Sequence, residues 1–448
     1  MDELRILSPT GILGYGFPIA SFREGMRLKP HVIGVDAGST DPGPYYLGAG
    51  KSFVPRENVV RDLDILISAS LKARIPLIIG SAGGSGAKPH VDWCLEIVRE
   101  ILRKHKLHAK VALIYTDVPH EQVKVALHKR KIQSLPFVPK LTAESIDQTT
   151  YIVAQAGVEP LLLALEKDVN IVLSGRCYDP LPFAALPIRL GYDPGLAVHM
   201  GKILECAAIA ATPGSGRDCV LGVLREDHFI LRPLSRERRF TTESVAAHSL
   251  YEKSNPIVLP GPGGHLDLSQ TTFRQINTTC VEVRGSRFVP SPKYTLKLEG
   301  ARALGFRTIS IAGVRDEIMI QQLPSILKKI HELVRKSFPG PKRQLLFRVY
   351  GKNGVMGELE PQVAEPCEVG ILMEVLAETQ EKANAICGFA RSTLLHYGYP
   401  ERISTAGNLA FPFSPSDFGV GQAFEFSLYH LMEVDNPSKL FPITVKRL

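Results

Sequence analysis

Apolar and polar positions alternate in blocks through the first 180 residues. Four short apolar runs, His31-Val-Ile-Gly-Val35, Ile75-Pro-Leu-Ile-Ile79, Val111-Ala-Leu-Ile-Tyr115 and Ile171-Val-Leu173, each break off into a polar loop. Unbroken apolar runs of this length predict strands buried on both faces, as in a parallel sheet covered by helices. Between them, apolar residues fall at helical spacing over Val59 to Leu71, Val91 to Leu102, Gln122 to Lys131 and a long region from Ala143 to Glu166. Strand, loop and helix repeated in this way predict βαβ units. Parallel strands end along one edge, where open α/β sheets bind their ligands, so the loops after the four runs should converge on a site.

Beyond residue 195 the rhythm changes. Ala197 to Ala211 predicts a mostly buried helix, stopped by the turn residues Thr212 to Asp218. Val220 to Leu224 and Phe229 to Leu234 form a predicted hairpin, Thr241 starts a short helix, and Cys280 to Val283 and Tyr294 to Leu298 alternate like strands with one wet face. Arg307 to Ala312 is a further strand, and a helix runs from about Glu317 to Ser337. Phe338-Pro-Gly-Pro-Lys-Arg-Gln344 reads as a linker. After it come strands at Gln344 to Val349 and Val369 to Met373, a helix from about Thr379 to Leu395, and a strand at Ala423 to Leu428. The expected fold class is α/β: a mostly parallel sheet flanked by helices, of the doubly-wound type, with an antiparallel extension and a small C-terminal α+β domain. The expected boundaries are 1–340, with a β insert at about 213–300, and 341–448.

Length and charge narrow the classes. A chain of 448 residues exceeds one ordinary core. A formal charge of +8, from 53 basic and 45 acidic residues, favours a small anionic substrate. The few basic clusters sit on helix-like faces, so no nucleic-acid partner is expected. Seven scattered cysteines suit a reduced compartment, the amino terminus lacks a signal-peptide order, and no apolar run is long enough for a membrane span. A cytoplasmic protein with no membrane partner is expected, assembled as a homo-oligomer with or without a small partner subunit.

Candidate chemistry gathers in the loops. Gly80-Ser-Ala-Gly-Gly-Ser-Gly86 offers unobstructed backbone amides, so Ser81, Gly83, Gly84, Ser85 and Gly86 are candidate anion donors; the same residues also suit a plain tight turn. In Asp36-Ala-Gly-Ser-Thr-Asp41 either carboxylate could act as a base beside the hydroxyls of Ser39 and Thr40, or merely accept turn hydrogen bonds. Ser174-Gly-Arg-Cys-Tyr-Asp179 ends the fourth strand: Arg176 could clamp a carboxylate and Tyr178 or Asp179 could move a proton, or Arg176 and Asp179 could form a structural ion pair. Cys177 is a weaker nucleophile candidate. Ser174 and Gly175 join the anion-binding candidates. Lys202 and Glu205 interrupt an apolar helix and could line a pocket or reach water. Asn408 sits in a long loop of special residues running from Thr405 to Asp417. No histidine spacing suggests zinc; Asp36, Asp41, Asp117 and Asp179 could hold Mg²⁺ if they meet.

Four runs, Gly264-His-Leu-Asp-Leu-Ser269, Val281-Glu-Val-Arg-Gly-Ser286, Pro290-Ser-Pro-Lys-Tyr-Thr295 and Leu298-Glu-Gly-Ala-Arg-Ala-Leu-Gly-Phe306, resemble the acyclic terpene utilisation (AtuA) family over residues 30 to 340. The Gly80 loop and Ser174-Gly-Arg176 sit where that family has comparable loops. The resemblance implies catabolic carbon metabolism whose intermediates travel as CoA thioesters. With the loops, it gives the expectation of a carboxylate or acyl-CoA enzyme of the lyase or hydratase type, with CoA only as part of the substrate and no resident cofactor. The alternatives are a non-catalytic binding subunit of a multi-protein enzyme and a serine- or metal-dependent hydrolase.

Overall fold

The four apolar runs do form neighbouring strands. In the computed structural model, which describes residues 2–250, 255–340, 343–362, 365–403 and 406–448, they occupy Val32–Asp36, Leu77–Gly80, Lys110–Ile114 and Ile171–Ser174. A fifth strand, Leu4–Ser8, joins them, and the five run parallel in the order Leu4–Ser8, Val32–Asp36, Leu77–Gly80, Ile171–Ser174, Lys110–Ile114. Antiparallel strands extend this core on both sides. Val220–Leu224, His228–Pro233, Val281–Arg284 and Thr272–Gln275 continue from Leu4–Ser8, and Ile443–Arg447 pairs with Lys110–Ile114.

Alternate strand residues fill two separate cores. Val32, Ile78 and Ala112 pack with residues of the helices Glu159–Leu165, Leu181–Arg189 and Pro194–Leu204. Ile33, Leu77 and Ile79 pack with Arg56–Ala73 and Lys88–His105 on the opposite face. Burial on both faces is why these strands read as continuous apolar runs. The result is a mixed α/β protein with one large parallel and antiparallel sheet.

Two compact units divide the chain: Met1–Arg302 with Phe426–Leu448, and Ala303–Glu425. The second unit packs helices Glu317–Ser337 and Gln380–His396 around an apolar core with the antiparallel strands Arg343–Tyr350 and Val369–Ala377. The segment Phe338 to Gly340 lies within this unit, after the first of those helices; Pro341 and Lys342 are outside the described residues.

Three local expectations are corrected. Ala143 to Glu166 is not one helix but a helix Ala143–Asp147, a strand Tyr151–Ala154 and a helix Glu159–Leu165. Thr142 caps the first of these with a reciprocal Ser145 box, and the strand pairs with Leu298 to Ala301. Four apolar residues in a row fit either element, and the partner strand decides. The helix expected to reach Ala211 ends at Leu204, and Ala207 follows with φ of 50°. Arg307 to Ala312 is not a separate strand but part of the 20-residue strand Thr295–Val314.

Candidate functional site

The parallel strands deliver their loops to one edge. Arg176 leaves the end of Ile171–Ser174, and its backbone N–H donates to the Gly86 carbonyl at 3.2 Å. Its buried guanidinium donates through Nε to Glu299 Oε2 at 2.9 Å and through Nη1 to Ser81 Oγ at 3.1 Å, to the Cys177 carbonyl at 2.6 Å and to the Asp179 carboxylate. Arg176 is therefore tied into the structure by two carboxylates, which is the ion-pair alternative with a second partner added. Desolvation disfavours its charge, but Asp179 and Glu299 outweigh that and hold its pKa well above the ordinary value.

Behind this pair lies Asp36, buried at the end of its strand, with Oδ1 lacking any hydrogen-bond partner. Burial, and then the neighbouring Asp179 charge, raise its pKa well above the usual carboxylate range; Arg176 opposes them only in part. Burial and the Asp179 charge therefore favour the protonated form of this carboxyl.

A cavity of about 730 Å³ opens in front of these groups. Six expected site residues line it: Asp41, Arg176, Tyr178, Asp179, Lys202 and Glu205. Lys202 Nζ forms a buried ion pair with Glu205 Oε1 at 2.5 Å. Burial, then the Glu205 charge, push the Tyr178 phenol up, against the opposing Lys202, so it stays protonated. Asp41 is exposed and accepts from Ser39 Oγ at 2.6 Å, while its own N–H donates back to Ser39 Oγ at 3.1 Å, so it also closes the turn.

The glycine loop does not line the cavity. Residues 81–87 are all buried. The N–H groups of Ser81 and Ala82 donate to the Gly175 and Ser174 carbonyls at 3.2 and 2.8 Å, and that of Gly84 to Ser81 O at 2.9 Å. Gly86 has φ of 70°, and a Cβ there would lie 2.1 Å from the Arg176 nitrogen. The loop packs against the Arg176 backbone and stands away from the walls of this cavity. Ser85 and Thr40 are buried with hydroxyls that find no partner. Asn408 belongs to the second unit, where its Nδ2 donates to the carbonyls of Leu394 and Tyr397 at the end of Gln380–His396. Thr405 lies outside the described residues.

Two alternative chemistries lose their residues. Burial, with Asp36 and Asp179 adding to it, pushes the Cys177 thiol up to about 12, so it is no thiolate nucleophile. Among the described residues, no group of three or more His, Cys, Asp or Glu could hold a metal ion, so Asp36, Asp41, Asp117 and Asp179 do not come together as a Mg²⁺ site.

Sequence reasoning missed Lys297, Glu299, His265 and Tyr429. Lys297 lines the cavity, pairs with Glu299 Oε1 at 2.7 Å and donates to Tyr429 Oη at 3.1 Å. Burial disfavours its charge, but Glu299 raises its pKa overall. Burial likewise works against the Glu299 carboxylate, and Arg176 and Lys297 bring its pKa below the ordinary value. Alternation over Leu296, Lys297, Leu298 and Glu299 was the available signal: the polar face meets the cavity and Arg176, not bulk water. His265 comes from a small sheet of Val258–Gly261, Gly264–Asp267 and Arg287–Pro290, whose first two strands and connecting turn also line the cavity.

A family model described as acyclic terpene utilisation family protein AtuA matches residues 55–214 and 227–401, most of the chain and further toward the carboxyl end than the resemblance at 30 to 340. Comparison with curated proteins and with solved structures gave no match. Both the Arg176 loop and the strand residues Lys297 and Glu299 fall inside the matched stretches. The chain belongs to the acyclic terpene utilisation family.

Proposed function

We propose that this protein is an enzyme of terpene catabolism that adds or removes water next to the carbonyl of a carboxylate or acyl thioester. The observation that carries the reading is the carboxyl pair: a buried Asp36, whose pKa is raised by burial and by the Asp179 charge, and an Asp179 that Arg176 holds on the cavity wall. Two close carboxyls with one charge between them are a recurring acid–base device.

Asp179 takes the proton from the carbon beside the carbonyl, and returns it to the departing hydroxyl, which leaves as water. Asp36 stays neutral and spares Asp179 a second adjacent charge. The Tyr178 phenol, protonated throughout, donates to the carbonyl oxygen as negative charge builds there, and the ammonium groups of Lys202 and Lys297 stabilise the same charge across the cavity. Each cation already has a carboxylate neighbour, so the polar walls are near charge balance and suit a substrate of low net charge at its reacting end.

The test is turnover of a panel of 3-hydroxy acids, 2-enoates and their CoA esters by the wild-type chain, Asp36→Asn and Asp179→Asn. Activity in the wild type, kept in Asp36→Asn and lost in Asp179→Asn with both variants folded, supports the reading. Full activity in Asp179→Asn, or loss of activity in a folded Asp36→Asn, overturns it, and inertness of the wild type across the panel leaves a binding subunit as the better description.

A further inference from the structure

We infer that the polar cavity has an apolar annex that takes the aliphatic chain of the substrate, so that the molecule turned over is an amphiphile. This rests on the acid–base reading of the polar cavity. A second cavity of about 380 Å³ shares Tyr178, Pro262 and Ser291 with the first. Its remaining walls are largely apolar, with Leu181, Ile188, Val198 and Phe288 among them. Its volume lies in the range of small-molecule sites.

Two of the polar groups in the annex are turned to one another. Tyr294 Oη donates to Glu159 Oε2 at 2.7 Å, and burial and that carboxylate push the phenol up and keep it protonated. The Tyr294 ring packs on Gly263, whose φ of 72° shapes the turn between Val258–Gly261 and Gly264–Asp267, and a Cβ there would come within 2.5 Å of the ring. The same small sheet thus walls both compartments, and Tyr178 stands at their junction with the neighbouring Asp179 on the polar side. A carbonyl placed at Tyr178 has acid–base groups on one side and hydrocarbon walls on the other.

Binding of a homologous series from 3-hydroxybutyrate to 3-hydroxydecanoate, measured by calorimetry, tests this. Affinity of the wild type should rise roughly four-fold per added methylene until the annex is full. Ile188→Trp, at a half-buried wall position, should keep 3-hydroxybutyrate affinity and lose the gain with length, and Phe288→Ala should extend the gain to longer chains. Affinity independent of chain length, or a gain unchanged in both variants, overturns the annex. Long chains that bind in the wild type and lose affinity in Ile188→Trp, with 3-hydroxybutyrate failing to bind at all, would sustain the annex and remove the polar-head reading. Failure of the whole series to bind removes both.

Discussion

Arg176 Nε and Glu299 Oε2 lie 2.9 Å apart, and neither side chain has more than 2% of its surface exposed. Breaking such a pair from one side leaves an uncompensated charge in the interior, which costs about 3–5 kcal/mol. Glu299→Ala should lose that much in urea unfolding, a large share of the roughly 5–15 kcal/mol that holds a domain together. Glu299→Gln keeps an acceptor for Nε and should lose less. Unfolding midpoints unchanged in Glu299→Ala would show that Asp179 alone satisfies Arg176.

Asp36 makes the opposite prediction about charge. Its ordinary value is 3.8, and the folded protein holds it well above that. As pH rises past 3.8, the unfolded chain releases a proton that the folded chain keeps, so this group's contribution falls until Asp36 ionises in the folded state as well. Asp36→Asn removes the titration. Its melting temperature should therefore gain on the wild type as pH goes from 4 to 8, while turnover is kept. A constant offset across that range would mean that Asp36 is ionised at its ordinary value.

The sheet core was legible because Val32–Asp36, Leu77–Gly80, Lys110–Ile114 and Ile171–Ser174 are buried on both faces, and a strand of that kind writes itself as an apolar run. Position after such strands also pointed to Arg176 and Asp179, which line the cavity. What spacing could not reveal was partnership across long separations. Glu299 is 123 residues from Arg176, and Lys297 looked like a strand residue facing water. The glycine loop carries the same ambiguity: the Arg176 backbone passes close to Gly86, and an open amide nest would have the same composition. Likewise Tyr151–Ala154 could be told from a helix only through its partner, Leu298 to Ala301.

That close passage gives a third prediction. At Gly86 a methyl group would meet the Arg176 nitrogen at 2.1 Å, and φ of 70° is a conformation that L side chains rarely adopt. Gly86→Ala should cost well over 1 kcal/mol, because strain adds to the clash. It should also shift Arg176 and Asp179 together, lowering turnover more than stability alone explains. Normal turnover per folded molecule in Gly86→Ala would separate the loop from the site.

The last prediction concerns a histidine that takes no part in this chemistry. His199 is fully buried on Pro194–Leu204, with Nδ1 2.7 Å from Ser286 Oγ and Nε2 2.8 Å from Ser249 Oγ. Hydroxyls can donate to one ring nitrogen and accept from the other, so the neutral ring is satisfied on both sides. Burial, with smaller contributions from Lys202 and His248, lowers its pKa to about 3. Between 6.5 and 3 the unfolded chain therefore binds a proton that the folded chain refuses, and stability falls as pH falls, by about 1.4 kcal/mol per unit. His248, lowered to about 4 by burial and Lys202, adds to the same limb. His199→Gln removes one of these two titrations, so its unfolding free energy should fall less steeply than that of the wild type between pH 6.5 and 4. Parallel curves would mean that His199 takes up its proton without unfolding, and that the Ser249 and Ser286 hydroxyls turn to receive it.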